Sequence, residues 1–153
     1  HLEETAALLG RKPFLWDNLF ANDGPKNCKF LKLKPFSGRE SAVSDWVEAY
    51  AFNMMNQPNL SKIVFLASRL VLENAHVPEA ALFEAIETLC SGDLSRFLAD
   101  HRLQYLEKGL DHISPEEKAN QIAVLERIPG PLSTEIISWL RGEYQVGSEC
   151  LTD

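Results

Sequence analysis

The side chains of this sequence that could do chemistry are few and scattered. The four histidines are His1, His76, His101 and His112, and the three cysteines are Cys28, Cys90 and Cys150. A general base needs a group to act on, and a thiol nucleophile needs a histidine within hydrogen-bond reach. His1 stands at the terminus, and His76 and His112 fall between helical patterns. His101 lies among the apolar residues of a helix, where a hydrogen-bonded packing role is the simpler reading. Asp100 beside it does not change that, because residues i and i+1 point in different directions. No spacing joins Cys90 to His76 or His101.

Other chemistries fare no better. Structural zinc needs close pairs of Cys or His, and the cysteines are about 60 residues apart. The eight glycines are single punctuation marks, so no phosphate-cradling loop is visible. Glu116 and Glu117 are explained by helix capping. The expectation is therefore a protein that is not an enzyme and binds no cofactor or metal.

Charge and length narrow the classes further. The 153 residues carry a net charge of −7, with seven basic against five acidic side chains in residues 1–40 and eight against seventeen in the rest. Lys29, Lys32 and Lys34 partly alternate with Phe30, Leu31 and Leu33, which suits the solvated face of a short strand or extended arm. The acidic remainder argues against a dedicated nucleic-acid binder. No apolar run approaches the roughly 20 residues that cross a bilayer, and no basic-then-apolar leader opens the chain. Widely spaced cysteines read as free thiols, and the expectation is a cytoplasmic, intracellular protein.

The elements that must position these side chains are helices almost throughout. Val43, Trp46, Val47, Tyr50, Ala51 and Met54 share one helical face, which predicts a helix of about 14 residues with that face in the core. Ser61 is a candidate cap for a helix through Glu73, and Pro78 opens a third over Ala81, Leu82, Ala85, Ile86 and Leu89. Asp93 can cap a helix from Leu94 to Lys108 that Gly109 ends. Ser114-Pro115-Glu116-Glu117 is a capping box with proline at the first helical position, opening a helix to Ile128. A last helix runs from about Leu132 to Arg141. Before residue 41, Glu3 to Leu9 and Phe14 to Phe20 read as short helices and Asn22-Asp23-Gly24-Pro25 as a turn, with a possible strand at Phe30 to Lys34.

Ser91-Gly92-Asp93 divides the helical part into two groups, so the expected fold is all-α, in two small lobes over 1–90 and 93–153 joined by a hinge at Ser91 and Gly92. A resemblance points the same way. Pro35-Phe36-Ser37-Gly38 followed by Val43-Ser44-Asp45-Trp46-Val47 resembles the opening of Gag capsid domains of gypsy-type LTR retrotransposons. Gly92-Asp93-Leu94-Ser95-Arg96-Phe97-Leu98, Arg102-Leu103-Gln104-Tyr105-Leu106, Ser114-Pro115-Glu116-Glu117-Lys118 and Leu125-Glu126-Arg127-Ile128-Pro129 resemble the succession that follows it. Gly92, Asp93, Phe97 and Arg102 would then mark a region like the family's major homology region.

What the resemblance implies is a self-assembling capsid protein, from a mobile element or a host gene derived from one. Its N-lobes would form rings, with Trp16 and Phe20 as assembly contacts. Its C-lobes would dimerise through Trp139, Leu140 and Ile136, with Trp139 lying off the main apolar stripe. The partners would be the chain itself and, in the alternative of a helical adaptor that forms no shells, a peptide or partner helix in the N-lobe groove. RNA would be bound only by regions outside this chain, and no membrane is implied. On this reading Trp139→Ala weakens dimers and leaves the fold intact.

Overall fold

Five of the eight prolines stand in the first turn of a helix, where a preset φ helps and the missing N–H costs nothing, so they set where helices begin. The computed structural model describes residues 1–38 and 43–145. The order is α1 (Leu2–Leu9), β1 (Phe14–Asp17), α2 (Gly24–Asn27), α3 (Val43–Trp46), β2 (Ala49–Phe52), α4 (Pro58–Asn74), α5 (Pro78–Leu89), α6 (Gly92–Leu103), α7 (Pro115–Leu125) and α8 (Pro131–Leu140). A π-helical turn, Gln104–Lys108, and a 3-10 turn, Leu110–His112, link α6 to α7. Apart from one two-stranded sheet the fold is helical, in agreement with the all-α expectation. No helix among the described residues is long and apolar enough to cross a membrane.

The second half follows its punctuation. The Ser114 hydroxyl accepts the Glu117 N–H at 3.2 Å, as the capping box requires. At α6 the cap is Ser91, which accepts the Leu94 N–H at 3.3 Å, whereas Asp93 stays exposed and pairs with Arg96. Gly109 ends the following turn at φ +73°, and a Cβ there would meet the Phe30 ring at 2.7 Å and the Lys29 carbonyl at 2.9 Å. Only glycine fits that approach. It lets the Leu110 N–H reach the Lys29 carbonyl and puts Lys29 Nζ 2.6 Å from Asp111.

Two expected helices are absent. Phe14–Asp17 is strand β1, and the helix expected from Val43 to Met54 is α3, four residues long, followed by strand β2. The strands pair in parallel, Phe14 opposite Ala49 through Asp17 opposite Phe52. Flanking bonds from Glu48 N–H to the Pro13 carbonyl and from Asn53 N–H to the Asp17 carbonyl lengthen the ladder. Backbone pairing between remote segments overrides local periodicity here. Phe30 to Lys34 joins neither strand, and Leu31 and Leu33 are fully buried while Lys32 and Lys34 are half-buried.

Packing explains the override. Phe52 lies 6.1 Å from the Phe20 ring and 5.5 Å, edge-on, from Phe36, and Phe36 meets Tyr50 at 6.0 Å. Phe20, expected as an assembly contact, is therefore wholly buried beneath the sheet. The interior is one apolar cluster running from Phe20 to Leu140, so residues on both sides of Ser91 and Gly92 share it.

The last helix closes this cluster, and the residues expected on a dimer surface are inside it. Ile136 and Trp139 have no exposed surface and Leu140 has 3 %. The Trp139 indole N–H donates to the Cys28 carbonyl at 3.0 Å, and its ring meets Tyr105 edge-on at 4.9 Å. A tryptophan buried with its polar atom satisfied has nothing left to offer another copy. One turn earlier on the same helix, Glu135 caps α4. Its carboxylate accepts the Asn59 and Leu60 N–H groups, each at 2.8 Å, and the Asn59 side-chain amide at 2.7 Å. This is why α4 starts at Pro58 rather than at the expected Ser61, whose hydroxyl instead donates to the Met55 carbonyl.

Two outcomes follow for stability. Trp139→Ala removes a filled site and should cost about 3–5 kcal/mol in urea unfolding, with no effect through self-association. A cost below about 1 kcal/mol would put Trp139 at a surface after all. Glu135→Ala strips charge-assisted bonds from a buried helix start and should cost about 2–4 kcal/mol. Circular dichroism should then show fraying at the start of α4 before global unfolding.

Candidate functional site

Polar side chains converge where the two parallel strands end. Ligand sites in folds with parallel strands lie at the carboxyl ends, because loops leaving that edge can face a common crevice. Here β1 runs into Asp17 and Asn18 and then into Asn22 and Asp23, while β2 runs into Asn53 and Asn56. The Asn18 Oδ1 accepts the Trp16 indole N–H at 2.9 Å and the Asn53 Nδ2 at 3.1 Å, which ties the two strand ends together. That leaves the Asn18 Nδ2 and the Asn53 Oδ1 without protein partners among the described residues. The Asp17 carboxylate accepts the Leu19 N–H at 2.8 Å and the Tyr50 hydroxyl, so it is committed to the scaffold.

The loop after β1 is held from beneath by Asn22, which has no exposed surface. Its Oδ1 accepts the Asn56 N–H at 2.8 Å, and its Nδ2 donates to the Phe30 carbonyl at 3.0 Å and to Gln57 Oε1 at 2.8 Å. Asp23 follows directly. It occupies the cap position of α2, makes no side-chain cap bond, and leaves its carboxylate exposed to solvent. An exposed carboxylate and two amides with spare bonding capacity suit recognition of a neutral ligand rich in hydroxyl and amide groups.

Of the residues singled out from sequence, Trp16 touches this cluster and the others lie elsewhere. Trp16 is 64 % exposed on β1 and serves Asn18. Phe97 is in the core, and Arg102 is 6 % exposed, paired with Glu79 of α5 and stacked 5.3 Å over the Phe83 ring. Arg102 thus ties α6 to α5. Ser91 caps α6, and Gly92 and Asp93 form its exposed first turn. Apart from Trp16, the structure does not bring these residues together with the strand-end cluster.

A groove of about 530 Å³ between α6 and α7 contains His101, with Phe97, Gln121, Val124 and Arg127 among its walls. His101 faces the Phe97 ring at 4.5 Å and Gln121 Nε2 at 3.4 Å from Nδ1, and no carboxylate among the described residues bonds it. Cys90 is half-buried, and desolvation pushes its thiol up to about 11, away from the thiolate a nucleophile needs. No group of three His, Cys, Asp or Glu among the described residues could hold a metal ion.

Sequence reasoning missed Asn18, Asn22, Asp23, Asn53 and Asn56. A signal was present: two short aromatic segments, Phe14-Leu15-Trp16 and Tyr50-Ala51-Phe52, are each followed by a run rich in Asn. Reading both segments as helices hid it.

Comparison with known proteins gives the family and the fold. The β-N-acetylglucosaminidase family matches residues 1–97. The solved structure of an O-GlcNAc hydrolase from Thermobaculum terrenum, a D120N mutant, is similar over 94 % of this chain with a TM-score of 0.64 and 22 % identity. The chain spans 38 % of that structure's length. No curated protein matches the sequence. These findings overturn the resemblance to Gag capsid domains, and with it the self-assembling capsid and the peptide-binding adaptor. The motif that suggested them is scaffold in this fold: Phe36 is buried against the strands, and Trp46 sits on the four-residue α3. With both strands and their amide-bearing loops inside the matched segment, the chain belongs to the β-N-acetylglucosaminidase family.

Proposed function

We propose that this chain forms one wall of the sugar site of a glycoside hydrolase acting on β-linked N-acetylglucosamine. The observation that carries the reading is the Asn18–Asn53 bond at the carboxyl ends of β1 and β2, with the exposed carboxylate of Asp23 on the loop that follows β1, all within the matched segment. Asp23 would accept hydroxyl protons of the sugar through both carboxylate oxygens. Asn18 would donate through Nδ2, and Asn53 would accept through Oδ1. Burying such groups against a sugar discriminates strongly, because an analogue lacking a hydroxyl leaves a desolvated partner unpaired.

The sheet supports the same reading. Parallel strands are stable when both faces and both edges are covered, and a two-stranded parallel pair alone is not. Among the described residues β1 and β2 pair only with each other, and Phe14 and Trp16 are exposed on one face. Further strands of the same fold, which the longer T. terrenum structure has room for, would complete it. Glycoside hydrolysis uses carboxyl groups or the substrate's own acetamido group at the scissile bond. In this proposal that chemistry belongs to those further strands, while this chain binds and orients the sugar.

The test uses the full-length protein with 4-methylumbelliferyl N-acetyl-β-D-glucosaminide. Hydrolysis should be competitively inhibited by N-acetylglucosamine. Asp23→Ala should lower kcat/KM by roughly 10- to 100-fold, and Asn53→Ala by roughly 5- to 10-fold, as loss of charged and neutral hydrogen bonds predicts. A full-length protein that neither cleaves the substrate nor binds the sugar removes the reading. Cleavage indifferent to both substitutions moves the site away from these loops.

A further inference from the structure

We infer that Asn22 and Gln57 are a positioning pair for the sugar site, a buried amide clasp that sets the distance between the loop after β1 and the loop after β2. This inference rests on the proposed function above. Both residues have no exposed surface, and they lie 35 positions apart in sequence. Neither reaches the solvent-facing edge where Asn18, Asp23 and Asn53 stand, so neither is a catalytic residue. Each is nonetheless joined to a residue that does reach it: Asn22 precedes Asp23 directly, and Gln57 ends the segment that begins at Asn53.

The hydrogen-bond inventory shows how tightly the clasp is specified. A primary amide has two donors and one carbonyl acceptor. Asn22 uses both donors, on the Phe30 carbonyl and on Gln57 Oε1, and uses its acceptor for the Asn56 N–H. Three chain segments therefore meet on one side chain. An aspartate there would lose both donors and set a carboxylate against two acceptors. An apolar residue would leave the Asn56 N–H and the Phe30 carbonyl without that partner.

Gln57 adds an asymmetry. Its Oε1 is taken by Asn22, while its Nε2 is buried with no hydrogen-bond partner among the described residues. Buried donors in native proteins are nearly always paired. Gln57 holds unused donor capacity inside the clasp. The clasp runs from the loop after β1, through Asn22 and Gln57, to the start of α4.

The experiment compares Asn22→Ala, Gln57→Ala, the double variant and Gln57→Glu in the full-length protein, with Ser114→Ala, which removes the cap of α7, as a control that loosens the fold elsewhere. For each, kcat, KM and the thermal midpoint are measured on the same aryl N-acetylglucosaminide. Gln57→Ala should raise KM roughly 5- to 15-fold, with kcat changed less than threefold. The double variant should be no worse than Asn22→Ala alone, because the two residues act through one bond. Gln57→Glu keeps the acceptor for Asn22 and should recover part of the lost KM. Ser114→Ala should lower the thermal midpoint and leave KM unchanged. If the clasp variants also lose only thermal stability, or their effects on KM add, the pair is merely structural and the inference fails. A wild-type protein without hydrolysis or sugar binding removes the proposed function first, and this inference with it.

Discussion

The last helix holds the fold through two contacts on one face. Glu135 and Trp139 are four residues apart, so they project one above the other from α8. Glu135 captures the first free N–H groups of α4, and Trp139 captures the Cys28 carbonyl just after α2. A carboxylate at a helix N-terminus neutralises both the unpaired donors and the positive end of the dipole, and at 6 % exposure water does not compete for it. The position of α4 fixes the loop that leaves β2, and the position of residue 28 fixes the loop that leaves β1. A helix beyond the matched family segment thereby holds both loops that carry the polar cluster.

The strand pair shows the reverse dependence. Four residues per strand supply too little pairing to hold themselves, and parallel geometry requires a long crossover between them. That crossover carries Phe20, Leu31, Leu33 and Phe36 into the core, where they meet Tyr50 and Phe52 from β2. Burial of the crossover stabilises the strands, and the strands in turn present Asn18 and Asn53 side by side. Arg102 belongs to this supporting architecture. Its ion pair with Glu79 and its stack on Phe83 join α5 to α6.

What could be read from the sequence was what local chemistry decides. The Ser114 cap, the Pro78 and Pro115 helix starts and the Gly109 stop act over a few residues and were legible. The strands were not. A strand of four residues in a parallel pair shows no clean alternation, and the face shared by Val43, Trp46, Val47 and Tyr50 is equally what a helix would show. The Glu135 cap joins residues 75 and 76 positions apart and leaves no local trace. The capsid resemblance compounded the error, because its opening motif was matched to a helix carrying Trp46 that stops after four residues.

The same contrast explains why the candidate site was invisible. An asparagine after a strand and an asparagine in a turn look alike in sequence, since both accept local bonds and tolerate irregular backbone. What separates Asn22 from an ordinary turn residue is that its partners come from Phe30, Asn56 and Gln57, none of them within seven positions. Burial then turns three modest bonds into a constraint, because leaving any one unmade strands a polar group away from water. A turn residue can be exchanged for serine or glycine at little cost. A buried amide that closes three segments cannot, and the loop it closes bears the carboxylate of Asp23.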